Sequence, residues 1–202
     1  MTLAMAFSVP SYAGLIDFTG GTAVRTDTTT YVTDNVTAYD WQSIDYYVED
    51  GFKFDFTSNG NGFATSVGNY FGNGSDVFHG HAPDLSLTTL TAVDGSSFDL
   101  NSFMLTTLVG VNVWSVNALK DGVNVSHSVA LQEEDWGWGL GLDPIISLGA
   151  EFQNVKAVTF TGNSGGIGFD DFDVNTVPAP APFVLMGLGL LGLRFSQRRN
   201  KA

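Results

Sequence analysis

Asp50-Gly51-Phe52-Lys53-Phe54-Asp55-Phe56-Thr57 decides the fold class. Phe52, Phe54 and Phe56 alternate with Lys53, Asp55 and Thr57, so in an extended chain three rings share one face and three polar groups share the other. This stretch reads as a half-buried strand. The same period recurs outward from it. Residues 97–105 alternate in part, and Gly110-Val111-Asn112-Val113-Trp114-Ser115-Val116-Asn117-Ala118-Leu119 alternates cleanly. Lys120-Asp121-Gly122 then supplies a turn in which glycine is free to take positive φ, and residues 123–131 form the returning half of a hairpin. Val155-Lys156-Ala157-Val158-Thr159-Phe160 is a further strand, Gly162-Asn163-Ser164-Gly165-Gly166 a turn, and Ile167-Gly168-Phe169-Asp170-Asp171-Phe172-Asp173-Val174 the last strand.

Helical periodicity is scarce between residues 14 and 176. About six to nine strands separated by Gly, Asn and Asp turns predict an all-β antiparallel β-sandwich. Phe52, Phe54, Phe56, Val111, Val113, Val158, Phe160, Phe169 and Phe172 are expected mainly inside. Phe169 and Phe172 are three apart, so both can face the core only if a β-bulge intervenes. Residues 58–76 read as long loops, and no internal repeat of useful length is present.

Composition limits what this sandwich can do. The chain has 202 residues, no cysteine, 24 glycines and 44% hydrophobic residues, with 21 acidic against 8 basic side chains. Disulfide scaffolds and cysteine-ligated metals are excluded, and a net charge of −13 opposes binding to nucleic acid. The bases are unevenly placed. Arg194, Arg198, Arg199 and Lys201 lie in the last nine residues, whereas all 21 acids fall between Asp17 and Asp173 with four bases, which leaves −17 on that segment.

The two ends carry addresses. An apolar run over residues 3–9, broken by Pro10 and followed by Ser11-Tyr12-Ala13, has the order of a signal peptide with cleavage after Ala13, so residues 1–13 are taken as a signal peptide remnant. At the other end, Val177-Pro178-Ala179-Pro180-Ala181-Pro182 leads into an uninterrupted apolar stretch of 11 residues, 183–193, and then the basic cluster. This predicts a C-terminal hydrophobic helix shorter than the roughly 20 residues of a perpendicular bilayer span, with the cations held on the cytoplasmic side.

This three-part tail, residues 177–202, resembles the C-terminal sorting signal of PEP-CTERM proteins, with Ala179 where that family usually carries Glu. The resemblance implies an exosortase-type processing enzyme as a partner that reads Val177, Pro178, Ala179 and Pro180, with Arg198 and Arg199 as the basic end. It also implies transit through the inner membrane of a Gram-negative bacterium, and then a cell-surface or extracellular location. Residues 14–176 would be the exported domain. The pairing of Ile16-Asp17-Phe18 with the final strand resembles jelly-roll carbohydrate-binding modules of the galactose-binding-like type. That resemblance implies a structural calcium ion, with Asp17, Asp170 and Asp171 at the nearest matching positions; calcium is also the metal that abundant oxygen ligands without thiolates would suit.

Trp136 and Trp138, separated by Gly137 and preceded by Glu133-Glu134-Asp135, would point the same way in an extended chain. Indole faces fit the C–H face of a sugar, and Glu134 is placed to accept hydroxyl hydrogen bonds, so these three are the candidate glycan-binding residues; burial of the pair under a loop is equally compatible. Trp41, Tyr46 and Tyr47 form a second aromatic group. His79 and His81 read better as a strand end than as a metal site, because a catalytic zinc usually needs three protein ligands. Gly72-Asn73-Gly74-Ser75-Asp76-Val77-Phe78 matches much of a calcium-binding nonapeptide turn, but such turns work in stacks and this one occurs once.

No nucleophile elbow, His-Glu-x-x-His, phosphate-binding loop or cysteine nucleophile is present, so no catalytic residue is assigned. The expected function is that of a non-catalytic surface or matrix protein associating with exopolysaccharide. The alternatives are an exported glycan hydrolase and a structural surface protein with no glycan affinity.

Overall fold

The computed structural model describes residues 13–39, 43–57, 65–69, 75–80, 87–107, 112–120, 122–131, 145–162 and 167–177. Two antiparallel sheets account for most of them. One has eight strands: β2 (Thr22–Arg25), β3 (Thr30–Val32), β4 (Ile44–Glu49), β5 (Phe52–Thr57), β8 (Leu87–Ala92), β10 (Asn112–Lys120), β11 (Val123–Leu131) and β13 (Ala157–Gly162), in the spatial order β11-β10-β13-β8-β5-β4-β2-β3. The other has six: β1 (Ala13–Ile16), β6 (Thr65–Gly68), β7 (Val77–Gly80), β9 (Ser97–Thr107), β12 (Ile145–Ser147) and β14 (Ile167–Val177). Its order is β12-β9-β14-β7-β6, and β1 also pairs with β14.

The Asp50-Gly51 pair joins β4 to β5 with Glu49 opposite Phe52. Asp50 has φ 45° and Gly51 φ 79°. Two successive residues at positive φ make a type I′ turn, whose twist matches that of the flanking strands.

The inner faces of both sheets are rich in phenylalanine. Phe52, Phe54, Val158, Phe160, Phe169 and Phe172 are all buried, as the alternation predicts, and they join Phe18, Phe78, Phe98, Phe103 and Phe152 in one core. Phe56 packs against that core partly buried, and Val111 lies outside the described residues. Rings meet across the sandwich: Phe54 of β5 lies edge-on to Phe172 of β14 at 4.9 Å, and Phe52 of β5 edge-on to Phe98 of β9 at 5.4 Å. The architecture is therefore the β-sandwich expected, with the chain passing repeatedly between sheets as a jelly-roll does.

β14 occupies the middle of its sheet. One flank pairs with β9 along the whole strand; the other is shared by β7, over residues 167–169, and β1, over residues 172–175. The required bulge lies between those two halves. Against β9, Asp170 pairs with Met104 but Asp173 pairs with Ser102, so β14 has one residue too many, and Asp171 takes φ 49°. A second shift follows at once, with Val174 opposite Leu100, which returns the surplus residue on the β9 side. The pair of bulges changes the phase of both strands. In β9, Phe98 and Leu100 are buried at even positions and Phe103 and Leu105 at odd ones, which explains why residues 97–105 alternate only in part.

Two expectations are corrected. Fourteen strands are present among the described residues, because β1, β2, β3, β6, β7 and β12 have only three or four residues and are too short to display a period. Residues 58–76, expected as loops, contain β6. The C-terminal hydrophobic helix falls outside the described residues. Among the described residues, no helix is long and apolar enough to cross a membrane.

Candidate functional site

Strand order, more than sequence order, builds a polar face on the eight-stranded sheet. Val116, Val158, Leu90, Phe54 and Tyr47 point into the core, so the residues between them point outward. Register then lines these up across the eight-stranded sheet. Ser126 of β11 pairs with Asn117 of β10, Asn117 with Thr159 of β13, Thr159 with Thr89 of β8, Thr89 with Asp55 of β5, and Asp55 with Tyr46 of β4. A parallel row runs from Ser128 through Ser115 to Thr161. Apart from Ser126 and Ser128, which are exposed, these residues are half-buried, as befits the open face of a sheet.

The chemistry of this face is hydroxyl and amide. Thr159 Oγ1 donates to the Asn117 carbonyl at 3.4 Å, Thr161 Oγ1 to the Ser115 carbonyl at 3.3 Å, and Asn117 Nδ2 to the same Ser115 carbonyl at 3.4 Å. These are long bonds, and each hydroxyl oxygen keeps acceptor capacity for a ligand. Two charges on the face cancel, since Lys53 Nζ lies 2.6 Å from Asp55 Oδ1 and 4.3 Å from the centre of the Tyr46 ring. On a chain of −13, the face is locally neutral.

A second polar group is buried where the eight-stranded sheet meets the segment after β1. The Tyr47 hydroxyl donates to Glu49 Oε2 at 2.7 Å, accepts from the Gly21 N–H at 3.1 Å and lies 3.1 Å from Thr33 Oγ1. A Cβ on Gly21 would run into the Tyr47 hydroxyl and lie 2.7 Å from the Val48 carbonyl, so only glycine allows this approach. Burial pushes the Glu49 carboxyl up to about 8, with the nearby charges of Asp17 and Asp50 acting the same way. The Tyr47 phenol is pushed up as well, by burial first and by Glu49 second. Near neutral pH this group is largely an uncharged hydrogen-bonded lock between β4 and the chain leaving β1.

Asp76 is also fully buried. Its Oδ2 accepts the Asn35 N–H at 2.6 Å, while its own N–H donates to Thr19 Oγ1 at 3.2 Å. Burial raises its carboxyl above the usual range, and Asp34 and Asp17 add to that.

The residues singled out in the sequence are distributed as follows. Asp17 is half-buried and its Oδ1 accepts the Thr19 N–H at 3.0 Å. Asp170 is buried at the β14 bulge, where Oδ2 accepts from the Ser75 hydroxyl at 2.7 Å and Oδ1 from the Asp171 N–H at 2.8 Å. Among the described residues, no group of three or more His, Asp and Glu side chains is placed to hold a metal ion. Tyr46 faces out while Tyr47 is core. Trp41, Trp136, Trp138 and Glu134 lie outside the described residues, as do Pro178, Ala179, Pro180, Arg198 and Arg199. Val177 is the last residue of β14, opposite Ser97.

The outward rows were the signal missed. Thr89 and Thr91, Thr159 and Thr161, Ser115 and Asn117, and Ser126 and Ser128 each alternate in the sequence, but their assembly depends on β13 lying between β10 and β8.

No protein-family model and no curated protein sequence matches the chain. A solved structure does: the CBM22-1 and GH10 modules of the N-terminal endo-1,4-β-D-xylanase 10B of Clostridium thermocellum, complexed with xylohexaose, at 14% identity and a TM-score of 0.28. The match covers 86% of this chain and 29% of that chain, so this chain spans less than a third of the xylanase structure's length. A likeness at that identity and TM-score is too distant to speak for a site or a ligand.

Proposed function

We propose that this chain is an exported, non-catalytic surface or matrix protein whose sandwich contacts neutral exopolysaccharide. The observation that supports it is the row Ser126, Asn117, Thr159, Thr89 and Asp55 with Tyr46 at its end. Hydroxyls and amides donate and accept at once, as sugar hydroxyls do, so a row of them matches a polyhydroxyl chain in many small contacts. Rungs about 4.8 Å apart are close to the repeat of a pyranose in an extended glycan. Trp136, Trp138 and Glu134 add a stacking contact in this proposal. The tail from Val177 to Lys201 supplies the route, with an exosortase-type enzyme cutting near Pro178 after transit through the inner membrane.

Glycan-array binding of residues 13–177 is the test, with a Thr89→Val, Thr159→Val double variant beside Trp136→Ala and Trp138→Ala. Valine keeps the shape and removes two hydroxyls, which at about 1 kcal/mol per hydrogen bond lowers affinity for a neutral polysaccharide roughly tenfold or more. No binding by the wild type sinks the proposal. Equal binding by the valine variant, with loss in the tryptophan variants, moves the site to the tryptophans, and polymer breakdown moves the protein to the hydrolases.

A further inference from the structure

The eight-stranded sheet ends on β3 at one side and β11 at the other, and the six-stranded sheet on β12 and β6, with the four-residue β1 a further edge beside β14. β3 and β12 have three residues and β6 has four, so each offers few free backbone groups. Short edges are one way in which sandwiches avoid pairing with other chains. β11 departs from this pattern. It has nine residues, Val123 to Leu131, paired with β10 in unbroken register and, among the described residues, with nothing on its other flank.

The strand's own sequence and register carry none of the usual protections. Val-Asn-Val-Ser-His-Ser-Val-Ala-Leu contains no Lys, Arg, Asp, Glu or Pro, and the register with β10 shows no bulge. β10 and β13 contain no acidic residue either, so the three strands at this end carry Lys120 and His127 as their charged or titratable groups. The strands themselves therefore set no carboxylates against an approaching copy.

The sequence of the strand is its own complement. A two-fold axis normal to the sheet pairs residues in antiparallel register and keeps inner faces with inner faces, so the axis must pass midway between one residue and its own copy. His127 is the midpoint of β11. Pairing about it sets Ser126 against Ser128, Val125 against Val129 and Val123 against Leu131, hydroxyl to hydroxyl and aliphatic to aliphatic, and uses the full length of the strand.

We propose that a second copy of this chain docks on β11, antiparallel and centred on His127, to make one continuous sheet of sixteen strands. The outward hydroxyl rows of the two copies then lie on one surface. The dimer stands independently of what that surface binds.

The absence of native cysteine allows a direct test on the full chain. In the His127→Cys variant the two thiols face each other across the axis, with Cα atoms at the 4.5 to 5.5 Å separation of antiparallel pairs, roughly what a disulfide needs. Mild oxidation should give a covalent dimer on a non-reducing gel. Leu119→Cys, on the exposed side of β10 at 55% exposure, is the control, because β11 of both copies separates it from its counterpart. Sedimentation velocity should give a dimer for the wild type and a monomer for a Ser126→Lys, Ser128→Lys variant that keeps its circular dichroism, since those substitutions set ammonium groups against each other across the axis. A monomeric wild type overturns the proposal. So does equal cross-linking of the two cysteine variants, or a lysine variant that remains dimeric.

Discussion

Glu49 shows how much a single buried side chain can couple to the solvent. Its carboxyl is pushed up to about 8 from an ordinary 4.5, so the folded state binds the proton more tightly than the unfolded chain. The stabilisation that follows is complete below about pH 4.5 and is lost as pH rises through about 8. Its ceiling is roughly 5 kcal/mol, from about 1.4 kcal/mol per pH unit of separation. Asp76, raised by burial, acts in the same direction. Asp27, Asp34 and Asp94 are lowered by hydrogen bonds and are already ionised in this window, so they do not oppose it. Urea midpoints should fall from pH 5 to pH 9 in the wild type and fall less steeply in Glu49→Gln. An equal slope in both would remove Glu49 as the source.

The residues also divide by what could be read in advance. Phe52, Phe54 and Phe56 announce their strand because each lies two from the next on a regular face. Phe169 and Phe172 announce the need for a bulge but not its place at Asp171, nor the compensating bulge in β9, since that correction depends on which strand lies alongside. The burial of Glu49 was illegible: Tyr47 stands two residues away on the same face, but Gly21 and Thr33, which complete the group, come from distant parts of the sequence.

At the level of elements, the hairpins rest on few residues. The β4–β5 turn places Gly51 at φ 79°, a conformation costing an L-residue about 1 to 2 kcal/mol. Gly51→Ala should therefore lower stability by that amount, read as a shifted denaturation midpoint with an unchanged slope. Asp50→Asn, which suits the first position of the same turn, should stay within about 0.5 kcal/mol of the wild type. If Gly51→Ala were equally silent, the turn would not be setting the register of β4 on β5. The longer strands were legible through their period and the three- and four-residue strands were not. The outward rows were legible strand by strand, yet their assembly was hidden, because Thr159 meets both Asn117 and Thr89 only through the spatial order of the sheet.

For the molecule as a whole, one proposed cut falls after the first residue of β1 and the other just beyond the end of β14. Cleavage after Ala13 costs the pairing of Ala13 with Asn175, and cleavage near Pro178 leaves β14 whole. Mass spectrometry of the exported protein should show a start at Gly14 and an end near Pro178. An exported protein that retains Arg198 and Arg199 would reduce the tail to an anchor.

The place of β14 in its sheet has a consequence for the order of assembly. β14, the last of the described strands to be synthesised, is the common partner of β9, β7 and β1, made long before it. The eight-stranded sheet is complete in sequence by Gly162, but its companion has no centre until residues 167–177 emerge. Closure of the sandwich is thus a late, long-range event that carries a loop-entropy cost, and β1, β7 and β9 lack their shared partner until residues 167–177 arrive.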